Sequence, residues 1–342
     1  MITPDNILSA LRSVIDPDLK KDLVTLNMIR DLSVTEDGAV SLRLVLTTPA
    51  CPFRGALEDA VRAAILSVDN TLSIHMTTDA NVPELPAIFR RTAIPGVRNI
   101  VAVVSGKGGV GKSTVSVNIA SALAQTGARV GLLDADIYGP SIPLLMSAND
   151  VKIELDPEAD ITPIRRHDIQ LVSFGFIAKK DDAVIWRGPL ASKALRQLLQ
   201  QTRWGELDYL IVDMPPGTGD LHLTLLQAAP LSGGVIVTTP QGVALADATR
   251  AMAMFKKLGA PVLGVVENMS GAIFGQGGGE SFSQTHGTAF LGSIPLDAIV
   301  RQSGDNGMPL PLHAPDHAIS KTFSTIAQRL AQEISKAAFT SI

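Results

Sequence analysis

A stretch in the middle of the chain carries the clearest chemical signal. It reads Ser105-Gly106-Lys107-Gly108-Gly109-Val110-Gly111-Lys112-Ser113-Thr114. Residues 106–113 fit the pattern G-x-x-x-x-G-K-[ST], in which glycines let backbone N–H groups curl around phosphate oxygens. In this pattern the lysine reaches the β- and γ-phosphates of a nucleotide, and the following hydroxyl ligates Mg²⁺. We therefore predict that Lys112 contacts phosphate and that Ser113 contacts magnesium.

The elements on either side of this stretch fit the same interpretation. Residues 100–104 are Ile-Val-Ala-Val-Val, a continuous apolar run typical of a buried parallel strand. Residues 115–125 have the composition of a helix. A strand, a glycine loop and a helix in this order place the phosphates at the positive end of the helix dipole.

Carboxylates follow two further predicted strands. Asp134 and Asp136 come directly after the predicted strand 129–133, and residues two apart point to the same side of an extended chain. Asp213 ends the apolar run 209–212 and is followed by Pro-Pro-Gly-Thr-Gly. An apolar strand that ends in aspartate is the Walker B arrangement, in which the carboxylate lies near Mg²⁺. The loop after Asp213 is predicted to change conformation when the γ-phosphate is lost.

Apolar strands alternate with helices over most of the chain, and this pattern predicts the fold class. Further strands are expected at 169–173, 234–238 and 262–267. The expected class is α/β, with a doubly wound, mainly parallel sheet covered on both faces. Ligands then bind at the carboxyl ends of the strands. The last helix, near 318–337, has one apolar face and is expected to pack on the sheet.

The first part of the chain predicts a separate small α+β domain. We expect this domain at 1–78, a proline-containing linker at 79–97, and the phosphate-binding domain at 98–342. Cys51 lies just before a predicted helix, where the helix dipole favours a reactive or metal-binding thiolate. A buried, inert cysteine is the alternative, and burial decides between the two.

Composition excludes several classes of function. The net charge is −4 and no long basic run occurs, so the electrostatic footprint of a nucleic-acid-binding protein is missing. The chain has one cysteine, which predicts a reducing, cytoplasmic location without an intramolecular disulfide. No apolar run approaches the ~20 residues of a membrane span, so stable membrane insertion is not expected.

Four segments resemble the Mrp/ApbC-type P-loop ATPases, iron–sulfur cluster carrier proteins in the MinD/ParA branch. These segments are residues 107–113, 134–141, 213–220 and 267–270. Residues 291–297 fit a late segment of the family, and residues 1–77 are similar to a domain found in iron–sulfur assembly proteins. The segment Trp186-Arg187-Gly188-Pro189 resembles the one that precedes a dimer-facing helix. The resemblance therefore covers nearly the whole chain.

The resemblance assigns roles to residues of this sequence. It implies slow ATP hydrolysis in a homodimer, with Lys107 reaching across to the partner's nucleotide, Asp136 orienting the attacking water, and Asp134 supporting Mg²⁺ and the switch loop. It implies that Asn268 contacts the adenine edge, although a buried structural asparagine is the alternative. The implied catalytic residues are Lys107, Lys112, Asp136 and Asp213, and the Mg²⁺ ligands are Ser113, Asp134 and Asp213. The implied nucleotide-binding residues are Gly106, Lys107, Gly108, Gly109, Val110, Gly111, Lys112, Ser113, Thr114 and Asn268.

The sequence departs from the family at one place. Family members carry a Cys-x-x-Cys pair shortly after Asn-Met-Ser, whereas residues 271–280 here contain no cysteine. Cys51 is then the one candidate thiolate for an iron–sulfur cluster. The resemblance implies ATP-dependent cluster assembly or transfer to apo iron–sulfur proteins or assembly factors. The alternative is a metal-free, ATP-dependent dimer switch or scaffold of the MinD/ParA kind.

Overall fold

The structure is a computed structural model that describes residues 2–35, 38–84, 93–153, 160–177 and 188–340. The chain divides into two compact units. The first contains residues up to Pro83 and the last turns of the C-terminal helix from Ile334 onward, and the second contains Glu84–Glu333. The predicted boundaries at 78 and 98 remain a prediction, and residues 85–92 of the proposed linker lie outside the described residues.

The first unit is a small α+β structure. Its elements are α1 (Pro4–Leu11), β1 (Ile29–Val34), β2 (Ala39–Leu46), α2 (Arg54–Leu66) and β3 (Ser73–Ala80). In the sheet, β2 lies between an antiparallel β1 and a parallel β3. Alternate residues of β2, from Val40 to Leu46, are buried against the helices, as the period of two predicts. The strand β3 continues to Ala80, two residues into the segment assigned to the linker.

The second unit contains a larger sheet. Its strands are β4 (Ile100–Val104), β5 (Val130–Asp134), β6 (Ile164–Arg166), β7 (Ile169–Ser173), β8 (Tyr209–Asp213), β9 (Gly233–Thr238), β10 (Val262–Ser270) and β11 (Phe290–Pro295). Within the described residues the order is β11-β10-β9-β4-β8-β5-β7-β6, and every neighbouring pair is parallel except β6 and β7. All residues of β4, β5 and β8 are buried, which follows from helices covering both faces.

Helices flank this sheet. They are α3 (Lys112–Gln125), α4 (Ile142–Leu145), α5 (Gly188–Gln200), α6 (Asp220–Ala228), α7 (Gly242–Lys257), α8 (Gly278–His286), α9 (Ala298–Asp305), α10 (Leu310–His313) and α11 (Ala318–Thr340). The predicted α/β class with a mainly parallel sheet is confirmed. The helix α11 packs against the sheet edge, because a Cβ added to Gly292 of β11 would lie 2.8 Å from Ile326. Arg329 also donates a hydrogen bond to the Leu291 carbonyl, at 3.1 Å.

Candidate functional site

The phosphate loop connects the central strand β4 to α3, at the carboxyl edge of the sheet. Gly111 has a left-handed backbone with φ of 81°, and an added Cβ would lie 2.2 Å from Nδ2 of Asn268. A Cβ on Gly106 would lie 2.2 Å from the backbone of Asp247 in α7. Both positions therefore require glycine, one for its backbone conformation and one for the close approach of α7.

The predicted phosphate lysine and the predicted Walker B aspartate meet at this edge. The ammonium of Lys112 lies 2.8 Å from Oδ2 of Asp213. The same carboxylate accepts hydrogen bonds from Ser113 Oγ at 2.6 Å and from Ser116 Oγ at 2.7 Å. Lys112 is 6 % exposed and Asp213 is fully buried. Parallel strands end at the same edge, so two motifs about a hundred residues apart form one polar cluster.

Asp134, which ends β5, and Asp136, two residues later, have different surroundings. The buried Asp134 carboxylate accepts hydrogen bonds from Ser173 Oγ at 2.8 Å and from the backbone N–H groups of Asp136 and Ile142. Burial, reinforced by the charge of Asp213, raises the pKa of Asp134 to about 8. Asp134 thus holds the loop that follows β5, and its predicted part in binding Mg²⁺ remains a prediction.

Asp136 faces the phosphate loop. Its Oδ2 lies 4.0 Å from the ammonium of Lys112, and it lines a cavity of about 260 Å³ together with residues of the loop and Pro216. Burial raises the pKa of Asp136, and the ammonium of Lys112 opposes the shift. The carboxylate therefore faces the cavity at the phosphate loop, and its predicted part in orienting the attacking water remains a prediction.

Asn268 lies near the carboxyl end of β10, beside the phosphate loop. Its side-chain amide donates a 2.8 Å hydrogen bond to the carbonyl of Val110 and is almost fully buried. A cavity of about 230 Å³ opens next to it, lined also by Thr114, Pro295 and Asp297. Residues 291–297 form most of β11 and the two residues after it, and no role in the site was predicted for them from the sequence. The strand β11 lies beside β10, so its carboxyl end reaches this cavity, and recognising it as the next parallel strand would have placed Pro295 and Asp297 at the site.

Lys107 is half-buried in the loop, and its carbonyl accepts a 2.9 Å hydrogen bond from Ser105 Oγ. Its ammonium forms no ion pair with any residue in the described ranges. The segment that resembled the entry to a dimer-facing helix lies outside those ranges at Trp186 and Arg187, and α5 begins at Gly188.

Cys51 lies in the first unit, three residues before α2 begins. Burial raises the pKa of its thiol, and the negative charges of Asp16 and Asp18 add to the shift. The raised pKa favours the thiol form, and hence the inert alternative over the reactive thiolate, because desolvation opposes the effect of the helix terminus. The role of Cys51 as a cluster ligand remains a prediction. Among the described residues, no group of three or more histidine, cysteine or acidic side chains is arranged to hold a metal ion.

A tight turn occupies the position of the missing cysteine pair. Gly271 and Gly275 exchange two backbone hydrogen bonds of 2.8 Å, so the chain passes from β10 towards α8 through a short loop. Ile273 at its tip is 77 % exposed.

The described part of the chain contains no helix that is both long and apolar enough to cross a membrane.

The glycine loop, its lysine and the Asp213 carboxylate, assembled at the carboxyl ends of parallel strands, define a P-loop nucleoside-triphosphate-binding domain. A family model described as ParA, NUBPL iron-transfer P-loop NTPase, matches residues 96–331, and one described as iron–sulfur cluster assembly protein matches residues 4–75. The chain belongs to the NUBPL iron-transfer P-loop NTPase family. The resemblance to iron–sulfur carrier ATPases drawn from the four segments is thereby confirmed.

Relatives and solved structures agree with this assignment. An iron–sulfur cluster carrier protein from Synechocystis is 47 % identical, over 99 % of this chain and 99 % of its own. The nucleotide-binding protein from Archaeoglobus fulgidus, solved in complex with ADP, is 36 % identical with a TM-score of 0.54 over 62 % of this chain and 87 % of its own. The cell division ATPase MinD from Pyrococcus furiosus is 24 % identical, with a TM-score of 0.55 over 68 % of this chain and 97 % of its own, and shares the fold.

Proposed function

We propose that this protein binds and slowly hydrolyses ATP and acts in the assembly of iron–sulfur clusters or their transfer to apoproteins. The observation that carries the ATPase part is the contact of Lys112 and Ser113 with Asp213 at the end of the phosphate loop. The carrier part is supported by relatives named iron–sulfur cluster carrier proteins that match almost the full length of the chain. A cytoplasmic location is part of the proposal, since a single cysteine suits a reducing compartment.

The geometry supports a simple division of work. The loop N–H groups and the N-terminus of α3 bind the phosphates, and Lys112 exchanges its contact with Asp213 for phosphate oxygens. The oxygen donors Ser113 and Asp213 suit a hard cation and would hold Mg²⁺ there. When bound, Mg²⁺ neutralises charge on the phosphates. Asp136 orients the attacking water, and Asn268 contacts the base beside the cavity next to α9.

A homodimer is part of the proposal. Lys107 has no acidic partner in the described residues, and the resemblance assigns it to a partner's nucleotide. We expect ATP to close a symmetric pair, and light scattering with the Asp136→Asn variant and saturating ATP measures it. The Lys107→Ala change should keep that variant monomeric under the same conditions. A monomeric mass of the Asp136→Asn protein itself would refute the role of Lys107.

The cargo is tested separately from the ATPase. The protein and its Cys51→Ser variant are reconstituted anaerobically with iron and sulfide, and iron content and visible absorption are measured. Because clusters are held mainly by thiolates, we expect a labile cluster that needs Cys51 and moves to an apo-ferredoxin. Equal loading in both proteins would exclude Cys51 as a required ligand.

A metal-free switch or scaffold is the second candidate function. It is favoured by the cysteine-free turn at Gly271–Gly275 and by the absence of a metal-holding cluster within the described residues. ATP hydrolysis together with no cluster loading in the wild-type protein would select this second function.

A further inference from the structure

A second cavity lies beside the phosphate loop, between the loop that follows β5 and the loop that follows β8. Its volume is about 460 Å³, and its lining includes Asp136 and Tyr138 from the loop after β5 and Pro216 and His222 from the loop and helix after β8. Asp136 and Pro216 also line the cavity at the phosphate loop itself. These two residues thus form a shared wall between the place for phosphate and the second cavity.

His222 is the buried polar side chain of this cavity. It lies in the first turn of α6, is 2 % exposed, and neither ring nitrogen has a partner in hydrogen-bonding geometry in the described structure, where the ring meets the backbone of Gly219 and Pro215 only loosely. Buried polar atoms are nearly always paired, because losing water without a replacement hydrogen bond is costly. An imidazole retained without a protein partner, in the wall of a cavity, therefore points to water or ligand inside that cavity.

The charge state of the ring restricts what it can do. Burial, together with the positive charge of Lys112, lowers the pKa of His222 to about 4, and the nearby backbone of Gly219 and Pro215 opposes this shift. At neutral pH the ring is uncharged, with one nitrogen that donates a hydrogen bond and one that accepts. The influence of Lys112 also shows that His222 is within electrostatic range of the phosphate-binding lysine.

A purely structural role does not explain this residue. A histidine that stabilises a core does so through well-formed hydrogen bonds of its ring, whereas here the backbone of Gly219 and Pro215 meets the ring only outside hydrogen-bonding geometry. The surrounding Ala191, Pro215 and Leu221 are apolar, so an aliphatic side chain would fill the same space without desolvating two nitrogens.

We infer that His222 is a positioning residue for ATP hydrolysis, which holds the water of this cavity in line with Asp136. The inference rests on the proposed ATPase function. The water oxygen bonds to the γ-phosphorus, the bond to the bridging oxygen breaks with its electron pair on ADP, and both protons of the water leave on the released phosphate, as H2PO4−. His222 gains and loses no proton in this step. Its neutral ring donates one hydrogen bond and accepts another, which orders the water.

The test compares two replacements of His222 in the full chain. His222→Gln keeps a donor and an acceptor, whereas His222→Leu keeps only the volume. Leu223→Ala, at the neighbouring, partly exposed position, is the control. Phosphate release is measured against MgATP concentration, and thermal unfolding is measured on the same samples.

We expect kcat of His222→Leu to fall about tenfold or more while KM stays within about twofold, the pattern for an interaction made only in the transition state. His222→Gln should retain at least about a third of wild-type kcat. The Leu variant should unfold at or above the wild-type temperature, so its loss of activity is not loss of fold.

Two results would overturn the inference in distinguishable ways. Wild-type kcat in His222→Leu, with an active wild-type enzyme, removes the role of His222 and leaves the ATPase proposal intact. A wild-type protein that releases no phosphate from MgATP defeats the ATPase proposal itself, and the inference with it.

Discussion

The ammonium of Lys112 lies 2.8 Å from Oδ2 of Asp213, and both groups are almost completely removed from solvent. The phosphates of ATP must therefore compete with the Asp213 carboxylate for the ammonium of Lys112. Asp213 also accepts hydrogen bonds from Ser113 and Ser116. When Lys112 moves to the phosphates, the buried Asp213 carboxylate is therefore still hydrogen-bonded.

Removing this lysine should affect stability as well as ATP binding. Lys112→Ala leaves Asp213 as a buried charge without its counterion, and we expect the free energy of unfolding without nucleotide to fall by about 3 kcal/mol. ATP affinity should be lost because no cation remains for the phosphates. Urea unfolding and titration calorimetry measure the two effects.

A double variant separates the two effects of that change. Lys112→Ala combined with Asp213→Asn removes both charges, so stability should recover while ATP still fails to bind. Lys257→Ala, at an exposed lysine of α7, is the control and should change neither property. Wild-type ATP affinity in Lys112→Ala would contradict the site assignment.

Asp136→Asn should separate binding from hydrolysis. The Asp136 carboxylate is 4.0 Å from Lys112, beyond hydrogen-bond distance, so ATP affinity should change by less than about threefold. Phosphate release should fall about a hundredfold or more, because a neutral amide orients the attacking water less strongly than a carboxylate that accepts its hydrogen bond. Asp168→Asn, at an exposed aspartate, is the control. Parallel loss of binding and turnover would argue against a water-orienting role.

The buried neutral imidazole should make the fold sensitive to acid. Burial lowers the pKa of His222 from 6.5 to about 4, so the unfolded chain takes up this proton at a higher pH than the folded chain. The stability contributed by the neutral ring is present above pH 6.5 and is lost as pH falls to about 4, by about 3 kcal/mol in total. Asp134, whose pKa burial raises to about 8, acts in the opposite direction, since its contribution is lost as pH rises towards that value.

Comparing the unfolding free energies of the wild type and His222→Leu isolates the effect of His222 on the pH dependence of stability, because both proteins contain Asp134. The difference in unfolding free energy between the Leu variant and the wild type should widen as pH falls from 6.5 towards 4. Urea unfolding across this range measures it, with His286→Leu, at an exposed histidine, as the control. A difference that stays constant with pH would show that His222 is not held neutral.

Cys51 should react slowly with alkylating reagents at neutral pH. Burial, Asp16 and Asp18 raise the pKa of the thiol, and the thiolate is the reactive form. We expect iodoacetamide to modify the folded protein at least about tenfold more slowly than the urea-unfolded protein. Asp18→Asn should speed the reaction at fixed pH, because it removes a negative charge near the sulfur. A folded protein that reacts as fast as the unfolded one would refute the raised pKa.

The sequence identified the main strands and the phosphate site because their signals are local. The apolar runs of β4 and β8 and the glycine loop are each visible within about ten residues. The strands β1, β6 and β11 were not predicted. In β1, Asp31 takes a positive φ of 53° at an irregularity in its pairing with β2, which breaks the alternation, and β11 is interrupted by Gly292.

Burial and partner choice are long-range properties, and there the sequence was insufficient. Nothing in the residues around Asp134 shows that Ser173, 39 positions away, occupies its carboxylate. His222 reads as an ordinary polar residue of an amphipathic helix until the cavity beside it is known. Cys51 was expected at a helix terminus, and only the packing of the first unit shows that desolvation prevails.

The cysteine-free turn between Gly271 and Gly275 has a consequence for life under oxidative stress. With one cysteine in the whole chain, and that one in the first unit, the unit that binds nucleotide offers peroxide no thiol to oxidise. An oxidant that modifies Cys51 would leave the nucleotide cycle running, because the unit that binds nucleotide has no thiol to be modified. The two activities proposed for this chain would then fail separately.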